Sequence, residues 1–359
     1  MADAVALAMV EALPATAPAV GWSTYGVLNG TWAGSAVSTD GTNIYVSHGY
    51  VGGSTTPTNG QRIIPPGGGT SVSGVVAPVA RGGVAGAWCN GKHYAIGGSN
   101  SSGQVQAVIE AYTPAGAGGA SGVWSTMSSG FIGASYMAAA VIGTNVYFAG
   151  GQAGGVNDAV RNFYRYDTTA NAVTGLAQMP AARTQGAMVA VGAKLYYLGG
   201  LDSGGGGTNT VYVFDTAAGT WTTAASGPDS NVFAGAATVI GATAYVVNSG
   251  GILYRSDLSL ANPVWSQGVT PTSHGSYPGL VSINGALYYV SGSATANVDK
   301  LDLGAGTGYT SAVLGVKSLL NPLLAGVASA LPVTPPTDTT GKAQYAQTVQ
   351  TLRALAAIS

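Results

Sequence analysis

Charge is the scarcest commodity in this chain. Of 359 residues only 12 are Lys or Arg and 13 are Asp or Glu, a share of 7%, against roughly 25% in an ordinary soluble domain. The basic residues are scattered, and phosphate binding needs them clustered, which argues against a nucleic-acid partner. Cysteine is limited to Cys89, so neither an internal disulfide nor a thiolate metal cluster can form. Its apolar setting, VAGAWCNG, predicts a buried structural thiol. No stretch of about 18 apolar residues exists to cross a bilayer, and no membrane insertion is expected. The first twenty residues contain Asp3 and Glu11 but no basic cluster, which makes a poor secretory signal.

What the chain has in quantity is glycine, at 57 positions, and aromatic residues, with 19 Tyr, 6 Trp and 5 Phe. The aromatics exclude a disordered polar chain, and the glycines lack the three-residue period of collagen. Both instead follow a long repeat. An apolar strand, a Gly or Asn turn, a second strand with Tyr and then Gly-Gly or its remnant recur six times, at Tyr45, Tyr94, Tyr147, Tyr196, Tyr245 and Tyr288. The spacings are 49, 53, 49, 49 and 43 residues.

Each copy continues with a third strand ending in an aspartate, as in NFYRYD (Asp167), TVYVFD (Asp215), LYRSD (Asp257) and VDKLD (Asp302). A short fourth strand follows, marked by Trp124, Trp221 or Trp265, with Leu176 in the corresponding place of the third copy. A four-stranded antiparallel sheet of this size has two apolar faces and cannot bury both alone. Stacking six of them radially does, which predicts an all-β, six-bladed propeller. Paired glycines are expected to let blades converge near the axis. Trp22 lies 23 residues before Tyr45, as Trp124 lies before Tyr147. It therefore reads as a fourth-strand residue without its own first three strands, and the N-terminal strand is expected to close the ring on the last blade. The competing candidate is YTSAVLGV (309–316).

The Gly-Gly doublet, the Tyr/Phe-Asp and Trp positions, and MPAAR (Met179, Pro180, Arg183), with Arg81 in the same relative place, resemble the kelch repeat over roughly residues 21–316. That resemblance implies a kelch-like β-propeller and is nearly silent about activity. The expected organisation is an N-terminal attachment segment (1–20), the propeller (21–318), and a Pro/Thr linker with a short C-terminal helix (319–359).

Thirteen residues before each marker tyrosine stand Trp32, Arg81, Ala134, Arg183, Val232 and Gly275, expected to ring one mouth of the channel. Loops after the second strands add Tyr50, Asp158 and Asp202 on the same face. The candidate ligand-binding set is therefore Trp32, Tyr50, Arg81, Asp158, Arg183 and Asp202, with Trp32 or Tyr50 stacking on a sugar or packing in a protein interface. For the arginines the alternative is bonding to blade carbonyls. Asp167, Asp215, Asp257 and Asp302 follow the repeat and read as turn formers. The chain lacks HExxH, a nucleophile elbow and a phosphate loop, and its three histidines occupy different repeat positions. No catalytic residue, metal or cofactor is expected, and the reading is non-enzymatic.

Two classes of function follow. One is a structural or adhesive protein of a virion appendage, since the charge-poor, Ala/Gly/Ser/Thr-rich chain with free terminal segments is similar in overall style to phage appendage proteins. It implies localisation in the virion, self-association or contact with other virion proteins through the termini, and contact with surface glycans. The other is a cellular carbohydrate- or protein-binding kelch module, cytoplasmic or cell-surface-associated.

Overall fold

The computed structural model describes residues 21–303 apart from 156, 225, 231, 261 and 262. The expected N-terminal segment, the 309–316 candidate, the linker and the C-terminal helix lie outside the described residues. Within them the chain forms six antiparallel four-stranded blades, one for each copy of the repeat, with a fifth strand, Gly69–Thr70, added to the sixth and a separate two-stranded sheet of Trp32–Ala33 and Tyr50–Val51. Blade 1 contains Ala36–Thr39, Ile44–Ser47, Gln61–Ile64 and Val72–Ser73. Blade 2 runs from Ala85–Cys89 to Val123–Thr126, blade 3 from Ala138–Ile142 to Ala172–Gly175, and blade 4 from Ala187–Val191 to Thr220–Thr223. Blade 5 starts at Ala236–Ile240 and ends at Ser266–Gln267.

Blade 6 takes Gly279–Ile283, Ala286–Val290 and Asn297–Asp302 from the end of the described chain and its outer strand, Trp22–Val27, from the beginning. Trp22 pairs with Leu301 and Val27 with Asn297, so the ring is closed by the N-terminal strand. The Trp22 indole N–H donates to the Val269 carbonyl of blade 5 at 2.7 Å. Trp124 and Trp221 make the same stitch to Val75 and Ala177 of their preceding blades. Gly26 then pairs in parallel with Gly69 from blade 1. A Cβ at Gly26 would stand 2.9 Å from the Gly69 carbonyl oxygen, so only glycine permits that approach.

The described core divides into six clusters, one at each junction between neighbouring blades. Each contains one marker tyrosine: Tyr45, Tyr94, Tyr147, Tyr196, Tyr245 or Tyr288. This is how a small sheet with two apolar faces satisfies both of them. Cys89 is buried at the junction of blades 2 and 3. One detail differs from expectation. In blade 3 it is Val173, paired with Tyr166, that holds the place Trp221 holds opposite Phe214, whereas Leu176 lies beyond the strand.

The glycine doublets sew neighbouring blades together. Gly97–Gly98, Gly150–Gly151 and Gly199–Gly200 all adopt positive φ. The second glycine of each donates its N–H to the next blade, to the carbonyls of Ala134, Arg183 and Val232. In blade 1, His48 (φ 60) stands in place of the first glycine, and Gly49 donates to the Arg81 carbonyl at 2.7 Å.

Candidate binding face

Of the residues thirteen before the marker tyrosines, Arg81, Ala134, Arg183 and Val232 thus give their carbonyls to the seams between blades, and the Trp32, Arg81 and Arg183 side chains turn inward. Trp32 is only 3% exposed and packs with Ile44, Val46 and Val281 between blades 6 and 1. Its indole N–H donates to Asn29 Oδ1 and its backbone N–H to Ser291 Oγ. Arg81 is fully buried; it donates to Glu110 Oε2 at 2.6 Å and to the Gly97 carbonyl. Arg183, 9% exposed, donates to the Tyr212 hydroxyl at 3.1 Å and lies over that ring.

Asp202 accepts two backbone N–H bonds, from Gly204 and Gly206, which hold its carboxyl below the usual aspartate range. Asp158 is an exposed loop residue of blade 3. The turn role expected of the repeating aspartates is present at Asp167, Asp215 and Asp257, which accept from N–H groups two or three residues on. Asp302 instead pairs with Lys300 at 2.7 Å.

The mouth itself is built two residues later. Gly34, Gly83, Tyr136, Gln185, Ala234 and Tyr277, one per blade, all have φ between 49° and 66°. Each N–H donates to the carbonyl of the equivalent residue in the preceding blade, from Gly83 to Gly34 at 2.9 Å through to Gly34 to Tyr277 at 3.1 Å. Six hydrogen bonds thus run head to tail around the axis and close on themselves. Left-handed backbone costs a non-glycine residue about 1–2 kcal/mol, and the closed ring of bonds offsets that strain. Below it the six first strands line an uncharged channel of about 280 Å³.

Because blades 3 and 6 face each other across the axis, Tyr136 and Tyr277 meet above the mouth, with ring centroids 4.7 Å apart and planes tilted by 37°. Space for this comes from their neighbours: a Cβ at Gly83 would stand about 3.0 Å from the Tyr136 ring. Tyr50 comes in from blade 1 over Gly82, where a Cβ would sit 2.3 Å from its ring. The three tyrosines wall a groove of about 320 Å³ completed by Thr31, Ser54, Ser276 and Ser293. Among the described residues, no Lys, Arg, Asp or Glu lines it. Burial, then the neighbouring Tyr277 and Tyr50 hydroxyls, push the Tyr136 phenol well above its ordinary pKa, and burial does the same for Tyr277. Both stay protonated and able to donate at physiological pH.

Of the six sequence-derived candidates, Tyr50 lines this groove and the other five do not. Tyr136 and Tyr277 line it without being among those candidates. The available signal was the register eleven residues before each marker tyrosine, which reads Gly, Gly, Tyr, Gln, Ala, Tyr: two bulky rings where the other positions are mostly small. Among the described residues, no group of three or more His, Cys, Asp or Glu is arranged to hold a metal ion. No helix among them is long and apolar enough to cross a membrane.

Residues 133–180 and 182–228, blades 3 and 4, match the Kelch motif. No curated protein matches the chain. A solved structure described as "Structure of YjhT" is similar with a TM-score of 0.61 and 15% identity, over 78% of this chain and 96% of that one. Matches to solved structures number 1191 chains, and a fold that common assigns no activity. The fold is a six-bladed β-propeller with the Kelch motif matched in blades 3 and 4; what it recognises has to be argued from the groove.

Proposed function

We propose that the propeller is a non-catalytic recognition module that binds carbohydrate in the tyrosine groove at its mouth. The observation that carries this reading is the combination, among the described residues, of three converging tyrosines with four aliphatic hydroxyls and no charged side chain in one concave site. Aromatic faces bury the C–H face of a sugar ring, and hydroxyls both donate and accept, which matches the sugar's own groups. A volume of about 320 Å³ stands at the lower end of the roughly 300–1,000 Å³ of small-molecule sites, a fit for a terminal sugar unit. The kelch-type fold supports a contact-making role, protein or carbohydrate, and the hydroxyl-rich lining favours the latter. The virion-appendage reading rests on composition and terminal segments, and neither the Kelch motif match nor the likeness to YjhT adds to it.

The test is an array of oligosaccharides probed with the full chain and with Tyr277→Ala and Tyr50→Ala. Retention by the native chain and at least a tenfold loss in each variant, about 1.4 kcal/mol, is the expected outcome, with circular dichroism unchanged. Binding that survives both substitutions would place the ligand elsewhere. Retention of peptides but no glycans would replace carbohydrate with a protein partner.

A further inference from the structure

We infer that the groove selects neutral saccharides and turns away anionic ones such as uronate- or sialate-terminated chains; this rests on the carbohydrate reading above. An acidic sugar is held best where a cation meets its carboxylate, because a charged group leaving water bears a far larger desolvation cost than a neutral hydroxyl, and neutral O–H donors alone offset only part of it. None of the described basic side chains lines the groove, and two arginines of this face are committed elsewhere. Arg81 is fully buried with its charge committed to Glu110. Arg183 is held on Tyr212 and the Ala182 carbonyl. The six N–H groups of the mouth ring, which would form an anion-binding concavity if free, are each occupied by the carbonyl of the preceding blade.

The walls reinforce the preference. Tyr50, Tyr136 and Tyr277 present aromatic rings to the groove, and the negative face of an aromatic quadrupole attracts C–H groups and repels a carboxylate. The hydroxyl oxygen of Ser293 already accepts from the Ser276 N–H at 2.9 Å, so it both receives and can give a bond. Neutral hydroxyls of a hexose fit this exchange, since each can both give and receive a bond.

The experiment compares oligosaccharides that differ only in a terminal glucose or glucuronate, titrated against the full chain, with Ser54→Arg as a second protein. Ser54 is exposed at the rim of the groove, so the arginine adds a cation without disturbing the core. The native chain is expected to bind the glucose-terminated chain at least tenfold more tightly, and Ser54→Arg to narrow or reverse that ratio. Equal or tighter binding of the glucuronate-terminated chain by the native protein overturns the selectivity while leaving carbohydrate recognition standing. Failure of both probes and of the whole array overturns both.

Discussion

At the level of single residues, the densest chemistry lies behind the face. Glu110 accepts from His48 Nε2 at 2.8 Å, and a carboxylate only accepts, so His48 carries its proton on Nε2. Its Nδ1 then accepts from Ser47, Ser47 accepts from His93 Nε2, and His93 Nδ1 accepts from Ser38, each contact being 2.7–2.9 Å. One proton order satisfies the whole chain only while both histidines are neutral. Burial first, then the charge of Arg81, depresses His48 to about 4 against the opposing bond to Glu110; burial and the neighbouring His48 depress His93 to about 3. Burial raises the Glu110 carboxyl, but the His48 bond and Arg81 outweigh it and leave it below its ordinary value. The sign is the same for all three groups. Above about pH 6.5, the ordinary histidine value, neither folded nor unfolded histidines are charged and their contribution to stability is complete. Below it the unfolded histidines take up protons while the folded ones do not, and stability is lost progressively until about pH 4 to 3, with Glu110 adding its loss below its ordinary range. Thermal unfolding followed from pH 7 to 4 is expected to show a steep fall in Tm. His93→Gln should lower Tm at pH 7 but flatten the slope, and an unchanged slope would remove His93 from this account.

At the level of the blade, the repeat spends its glycines on two different tasks that the sequence does not separate. Gly143, in the hairpin turn of blade 3, has positive φ and nothing within 4 Å of an added Cβ. Gly200 also has positive φ, but its Cβ would meet the Thr184 carbonyl oxygen at 2.7 Å and Gly186 backbone at 3.1 Å. Gly143→Ala therefore pays only for conformation, about 1 kcal/mol, while Gly200→Ala adds a backbone clash at a blade seam and should cost about 2–4 kcal/mol. Equal costs in urea unfolding would show that the doublet is conformational only. The blades, their marker tyrosines and the doublets were legible because a period near 49 residues repeats the same chemistry in sequence. The mouth was not, because it depends on a two-residue offset within each copy. Thirteen residues back the chain buries Trp32 and Arg81 in the seams; eleven back it turns left-handed and lifts Tyr136 and Tyr277 over the axis. The contact between those tyrosines spans 141 residues, shown by their numbers, and the pairing of Arg81 with Glu110 joins the segment entering blade 2 to that blade's third strand, 29 residues on; no local pattern encodes either.

At the level of the whole molecule, the ring is held by two kinds of closure with different reach. Inside, the six mouth hydrogen bonds link every blade to the next without regard to where the chain begins. Outside, Trp22–Val27 completes blade 6 and ties the first described strand to the last. The outer closure is the one a substitution can isolate. Trp22 packs on Tyr289 at 6.0 Å and Tyr25 meets Tyr288 edge-on at 4.8 Å, so the strand presents an aromatic ring to each face of the blade. Removing a fully buried Trp costs about 3–5 kcal/mol, and Trp22 is half-buried, which scales the expectation for Trp22→Ala to about 1–3 kcal/mol. Tyr25→Ala should add to it rather than substitute for it, because the two rings contact different partners in the clusters on either side of blade 6. If closure by this strand holds the ring as one unit, the double variant will unfold at lower denaturant in a single transition with all tyrosine and tryptophan signals moving together. A split into two transitions, with blade 6 lost before blades 2 to 4, would mean that the inner hydrogen-bonded ring alone sustains the propeller and that the outer strand stabilises only the blade it completes.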